Sequence, residues 1–282
     1  MSVARCMTIA LLLTVLASMP AAAAPPKVIH VFVILCDNTH QQIVPVPAHL
    51  GDGEAPETNL YWGARYGVKQ FFKNSPHWEL LNVTPHPAPP PQPRRWEWLP
   101  VKKDAPDSVL ERIVFRHTRH ADTYLVADAY RGRRIKEGIT EFLKAAAGAA
   151  KQTLMLETGG LIQPLPIHGG AEMVVYVGHN GLMDFQLPRY PEKQDDRRRD
   201  AIVLACRSKA YFETPIRRTG AYPLLWTNGL MAPEAYTLEA ALEGWIELET
   251  PTQIRTRAAE AYHRYQKCGL QAAMRLFSTG FE

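Results

Sequence analysis

The sequence predicts an α/β protein with a mostly parallel central sheet flanked by helices, and three observations carry that expectation. Residues 28–35, 173–177 and 201–205 are runs rich in Val, Ile and Leu without polar alternation, the pattern of strands covered on both faces. Residues 124–127, the turn-type Asp128 and an amphipathic stretch over 133–147 follow one another, as strand, turn and helix do in a parallel crossover unit. Finally, two of the apolar runs stop on chemically capable residues. Residues 173–177 lead into Gly178-His179-Asn180-Gly181, and residues 201–205 into Cys206-Arg207-Ser208. Parallel sheets bind ligands beyond the carboxyl ends of their strands, so His179 and Cys206 are expected on one edge.

The chain has 282 residues, 46% of them hydrophobic, enough to bury a substantial core. At its start Arg5 precedes an apolar run that ends at Met19, followed by Pro20-Ala21-Ala22-Ala23-Ala24. A charged segment, an apolar segment and small residues in that order read as a removable secretory leader over residues 1–24. The run is shorter than the ~20 apolar residues a spanning helix needs. No later stretch is longer and as apolar, so residues 25–282 are expected to form one exported domain, secreted or periplasmic, without stable membrane insertion. The net charge is +4, and Arg5 is the sole charge in the leader, which leaves +3. So slight a balance names no partner. Nucleic-acid binding is not expected, because Arg197-Arg198-Arg199 is offset by Asp195, Asp196 and Asp200. Beyond the leader the thiols are Cys36, Cys206 and Cys268. An odd number in an exported chain leaves at least one outside an intramolecular disulfide, as a reactive thiol or an intermolecular bridge.

Taken in order, residues 28–35 form the first central strand, ended by Cys36-Asp37-Asn38. A Pro- and Gly-rich loop follows, then a helix over 60–73 capped by Thr58 or Asn59. Residues 78–83 read as a strand. Residues 84–107, dense in Pro, read as a polyproline-type surface loop pinned by Trp96 and Trp98. Residues 109–115 suit a short helix or a strand equally. After the helix at 133–147, residues 151–157 lead to the Gly159-Gly160 break and the strand 173–177. Residues 184–200 are long enough for a crossover to the strand 201–205. Residues 222–226 form another strand, and a helix over 233–245 begins with Pro233 in its first turn. The last helix, 252–267, stops at Gly269. Asn180-Gly181-Leu182-Met183 and Asn228-Gly229-Leu230-Met231 each follow a strand, which points to a shared exit geometry.

A thiol with a pKa of ~8.5 needs help to become a thiolate. A histidine in reach can take its proton and later protonate a leaving amine. If the two strands are neighbours or near-neighbours, a spacing of ~4.8 Å per strand brings their ends close enough for a carbonyl to lie between His179 and Cys206. Backbone N–H groups at Gly181 and Cys206 are candidates to hold the developing oxyanion. Asp184 either orients the imidazole or stands as a charged loop residue.

This order of motifs resembles the caspase-like cysteine peptidases of clan CD, among them the caspases, legumain, the gingipains and clostripain. The resemblance rests on an apolar strand ending in His and Gly followed by an apolar strand ending in Ala205-Cys206, with residues 28–35 and 222–226 similar in place. It implies a caspase-like sheet, a dyad with His179 as general acid and base and Cys206 as nucleophile, and an oxyanion hole at Gly181 and Cys206. Asn180 stands where the family commonly has Gly, and Arg207-Ser208-Lys209 replaces a small Gly-containing segment. The expected activity is an exported cysteine endopeptidase or related amide hydrolase acting on a peptide or protein, with no cofactor implied. Two alternatives stay open. One is a catalytically silent caspase-like module that binds a peptide or cell-wall fragment. The other is a metal-dependent hydrolase drawing on Cys36, Asp37, His40, His179 and Asp184. Burial can also account for Cys36 and Cys206, and a structural place for Cys268.

Overall fold

The structure, a computed structural model, describes residues 25–85 and 108–281. The expected leader at 1–24, and the Pro-rich stretch beyond Pro85 with Trp96 and Trp98, lie outside the described residues.

In chain order the elements are β1 (Lys27–Ile34), α1 (Val68–Lys73), β2 (Trp78–Pro85), β3 (Val109–His117), β4 (Thr123–Tyr130), α2 (Ile135–Ala146), β5 (Gln152–Thr158), β6 (Leu161–Ile167), β7 (Met173–Val177), β8 (Asp200–Leu204), α3 (Ser208–Thr219), β9 (Tyr222–Thr227), α4 (Ala235–Ile246), α5 (Pro251–Gln266), α6 (Leu270–Leu276) and β10 (Phe277–Ser278). The main sheet runs β10-β9-β8-β7-β1-β4-β3-β2. β4, β1, β7, β8 and β9 are mutually parallel, whereas β3 pairs antiparallel with β4 and with the edge strand β2, and β10 pairs antiparallel with β9 at the other edge. The expected α/β class is therefore the observed one, in a layout consistent with the caspase-like arrangement.

The non-alternating runs are explained by cover on both faces. Along β1, Ile29, Val31 and Val33 join one core with Phe72, Leu238 and Ile254, from α1, α4 and α5. Val28, Phe32 and Ile34 join the other, with Phe142 from α2 and Phe212 from α3. Every residue of β7 is buried. Strands of this kind are held from both sides, so what hangs from their ends is held too.

Several local expectations need correction. The helix expected over 60–73 is only α1; residues 55–66 form successive turns. A Cβ at Gly63 would collide with the Glu57 carbonyl, and the expected cap, Asn59, instead brackets Cys36, accepting its N–H at 3.0 Å and donating to its carbonyl at 2.8 Å. Asp128 is no turn. It lies fully buried within β4, opposite Arg112 of β3, whose guanidinium grips both carboxylate oxygens at 2.6 and 2.7 Å. Residues 109–115 resolve as strand, in β3. α5 ends at Lys267, which takes the left-handed conformation with φ 55°, and it is not the last helix, because α6 and β10 follow. α3 was not expected at all, nor was β6, which pairs with β5 across Gly159-Gly160 as a separate hairpin.

Candidate active site

Cys206 stands on a sharp strand-to-helix turn between β8 and α3. Arg207 takes φ 50° and ψ 35°, a left-handed conformation that costs a non-glycine residue of order 1 kcal/mol or more. The surroundings hold it there. The Arg207 N–H donates to Gly229 O at 2.7 Å, and Ser208 Oγ donates to Val203 O at 2.8 Å. Thr227 Oγ1 accepts the Ser208 N–H at 3.1 Å and donates to Ala205 O. The turn leaves Cys206 half-buried, one residue before the cap of a twelve-residue helix. Met231 brackets Sγ from the β9 exit: its N–H donates to sulfur at 3.4 Å and its carbonyl accepts at 3.5 Å. Negative charge developing on sulfur meets a donor there.

His179 follows Gly178, which has φ 150° and where an added Cβ would lie 2.9 Å from Ile34 O, so a side chain there would be strained and crowded. The His179 imidazole is 9% exposed and its Nε2 lies 2.6 Å from Asp184 Oδ2. That contact puts the ring proton on Nε2 and leaves Nδ1, which has no partner among the described residues, as the basic atom. The Tyr176 phenol donates to His179 O at 2.6 Å. Asp184, expected either to orient the imidazole or to stand as a charged loop residue, is hydrogen-bonded to the His179 ring. The Gly181 N–H, expected to face an oxyanion, donates to His179 O at 3.1 Å, whereas the N–H groups of Asn180 and Cys206 meet no acceptor among the described residues. Asn180 is fully buried; its Oδ1 accepts the Leu182 N–H at 3.2 Å and its Nδ2 donates to Cys206 O at 2.7 Å.

His179 and Cys206 open into one cleft of about 330 Å3, walled by Ile43, Val44, Tyr61, Met183, Leu230 and Met231. β7 and β8 are adjacent and parallel, so the two side chains reach the cleft from neighbouring strand ends. Cys36 lines the cleft but is fully buried, and burial pushes its thiol up to about 11; Tyr61 opposes this to a smaller extent and Asp37 adds to it. It stays protonated where a nucleophile must not. Asp37 binds His40 Nδ1 at 2.9 Å and the N–H groups of Thr39 and His40, so that pair closes on itself. Cys268 is exposed and, like the other two, free. Sequence reasoning missed Met231, Tyr61 and Ile43. Met231 alone had a signal, as part of the second Asn-Gly-Leu-Met segment.

The five residues of the metal alternative do not gather. Among the described residues the ligand-type clusters are His30 with Asp128 and His168, and His77 with His117 and Glu243. His30 Nδ1 accepts the His168 N–H at 3.1 Å and Nε2 meets Asp128 at 3.0 Å. His117 Nδ1 accepts the N–H groups of Arg119 and His120, and Nε2 meets Glu243 at 3.1 Å. Each ring must keep its proton on Nε2 to make that bond, and could ligate a cation there only as an imidazolate. Both clusters are ion-pair networks.

What the fold and site define is an α/β protein with a mostly parallel sheet that brings a histidine and a half-buried cysteine to adjacent strand ends. Compared with family models, curated proteins and solved structures, the chain has no significant match in any of the three.

Proposed function

We propose that the protein is an exported cysteine peptidase or related amide hydrolase of the caspase-like kind, with Cys206 as nucleophile and His179 as general acid and base. The observation that supports this reading is the shared cleft, in which a half-buried thiol and a carboxylate-held imidazole face the same space from neighbouring parallel strands. In the cycle, the Cys206 proton passes to His179 Nδ1 and Sγ bonds to the carbonyl carbon, whose π pair moves to oxygen. The oxyanion takes the Cys206 N–H and a second donor from the His179 loop, where the Asn180 N–H meets no acceptor among the described residues and the Gly181 N–H holds only a 3.1 Å contact within the loop. Collapse breaks the C–N bond, and the amine leaves with the proton from His179. Water then adds to the thioester, giving a proton to His179, and release of the acid restores the thiol.

The test is intact-mass kinetics of iodoacetamide labelling under native conditions, in a Cys268→Ser background that removes the exposed thiol. Fast single labelling at Cys206 that slows by about 10²-fold in His179→Ala supports the dyad. Labelling that ignores His179, or a Cys206 that does not label, defeats the hydrolase reading in favour of a silent binding module.

A further inference from the structure

We infer that the cleft selects an apolar, uncharged side chain on the acyl side of the bond that Cys206 attacks, so that the substrates are peptides with a Leu-, Met- or Phe-like residue at that place. This rests on the hydrolase reading above and adds its substrate class. Among the described residues no Asp, Glu, Lys or Arg lines the cleft, and Gln42 is the single amide. Asp184, beside the cleft through His179, is committed to that ring at 2.6 Å, and Asp37, next to Cys36, to His40 and two N–H groups. A charged substrate side chain would lose its water there and find no partner among the described residues, which disfavours it.

The walls point the same way. Val44 is 88% exposed, Leu230 72% and Met183 37%, and all three rim this one cleft. They come from separate segments, the loop after β1 and the exits of β7 and β9, so their convergence is not the accident of one apolar stretch. The two Asn-Gly-Leu-Met segments supply Met183 to one wall and Leu230 with Met231 to another. An apolar side chain laid between them covers surface that is otherwise wet, and the gain grows with the area removed from water. At about 330 Å3 the space sits near the lower end of the ~300–1,000 Å3 typical of ligand clefts, which suits one large residue and its flanking backbone.

The experiment uses peptidyl chloromethyl ketones that differ only in the side chain beside the ketone: Leu, Met, Phe, Asp or Arg. Each alkylates the thiol with loss of chloride, and intact mass follows the rate in the Cys268→Ser protein. The Leu, Met and Phe reagents should react at least about tenfold faster than Asp and Arg. In Leu230→Ser the ratio of Leu to Arg rates should fall at least about threefold; because it is a ratio within one variant, a general loss of reactivity cancels. Asp or Arg reagents that match or exceed the apolar ones, while iodoacetamide still labels Cys206 through His179, overturn the substrate class and leave the hydrolase standing. A Cys206 inert to iodoacetamide as well overturns both.

Discussion

The Asn180 amide donates to the Cys206 carbonyl at 2.7 Å, tying the loop that carries the histidine to the turn that carries the cysteine. Asn180 is thus a cross-strand staple. Its Oδ1 caps the turn at 181–183 through the Leu182 N–H. Asn180→Ala leaves that N–H and the Cys206 carbonyl short of partners, which should cost about 1–3 kcal/mol. It should also slow Cys206 alkylation by loosening the approach of the two side chains. Urea unfolding and labelling kinetics measured on the same samples check both; a variant with unchanged values removes the staple from the account.

Asp184 Oδ2 is hydrogen-bonded to His179 Nε2, and on the proposed reading it acts through that ring. Asp184→Asn should lower kcat by about 10²-fold with little change in KM, because the imidazole loses the acceptor that keeps its proton on Nε2. Ring 15N shifts of His179 should show the proton redistributed toward Nδ1. A fall in activity with the tautomer unmoved would instead mark Asp184 as a packing residue.

Asp128 is fully buried and holds Arg112 and His30. Burial alone would raise its carboxyl, but the Arg112 guanidinium, helped by His30, outweighs that and holds it well below the usual carboxylate range. Asp128→Ala strands the guanidinium and should destabilise the fold by about 3–5 kcal/mol. Denaturant unfolding at neutral pH measures it, and a loss below 1 kcal/mol would count against the network.

Acid should weaken the protein before its carboxylates titrate. Burial, with the His30 imidazole beside it, pushes His168 down to about 3, and burial lowers His30 and His117 too. A histidine whose folded pKa lies below the unfolded value of ~6.5 takes its proton first in the unfolded chain, so stability falls as the pH drops from ~6.5 toward the folded pKa. His168 has φ 52°, a conformation Asn tolerates. His168→Asn should flatten the urea stability profile between pH 6 and 4 by up to ~1.4 kcal/mol per pH unit. A slope like that of the wild type would assign the acid lability elsewhere.

The strands were legible because burial on both faces writes itself into local composition; residues 173–177 and 201–205 need no distant partner to be read. Asp128 was misread because its partner, Arg112, is its neighbour across the sheet and not along the chain. α3 escaped because its buried face holds Ser208, Phe212, Pro215, Ile216 and Thr219, a stripe with little apolar contrast and a proline inside. His179, Cys206 and Asp184 were visible as side chains near strand ends. The part of the site made by backbone, the Met231 N–H and carbonyl at the sulfur, has no residue-type signature.

The reactive pair hangs from β7 and β8, whereas Ile43, Val44 and Leu230 hang from loops that contribute nothing to the sheet. On the proposed reading, recognition rests largely on these loops and reactivity on the strand ends, with Met231 shared because its backbone brackets the Cys206 sulfur. Exchanging residues 42–46 and Leu230, with Met231 kept, would then retarget the cleft to a different side chain while leaving the strand ends as they are.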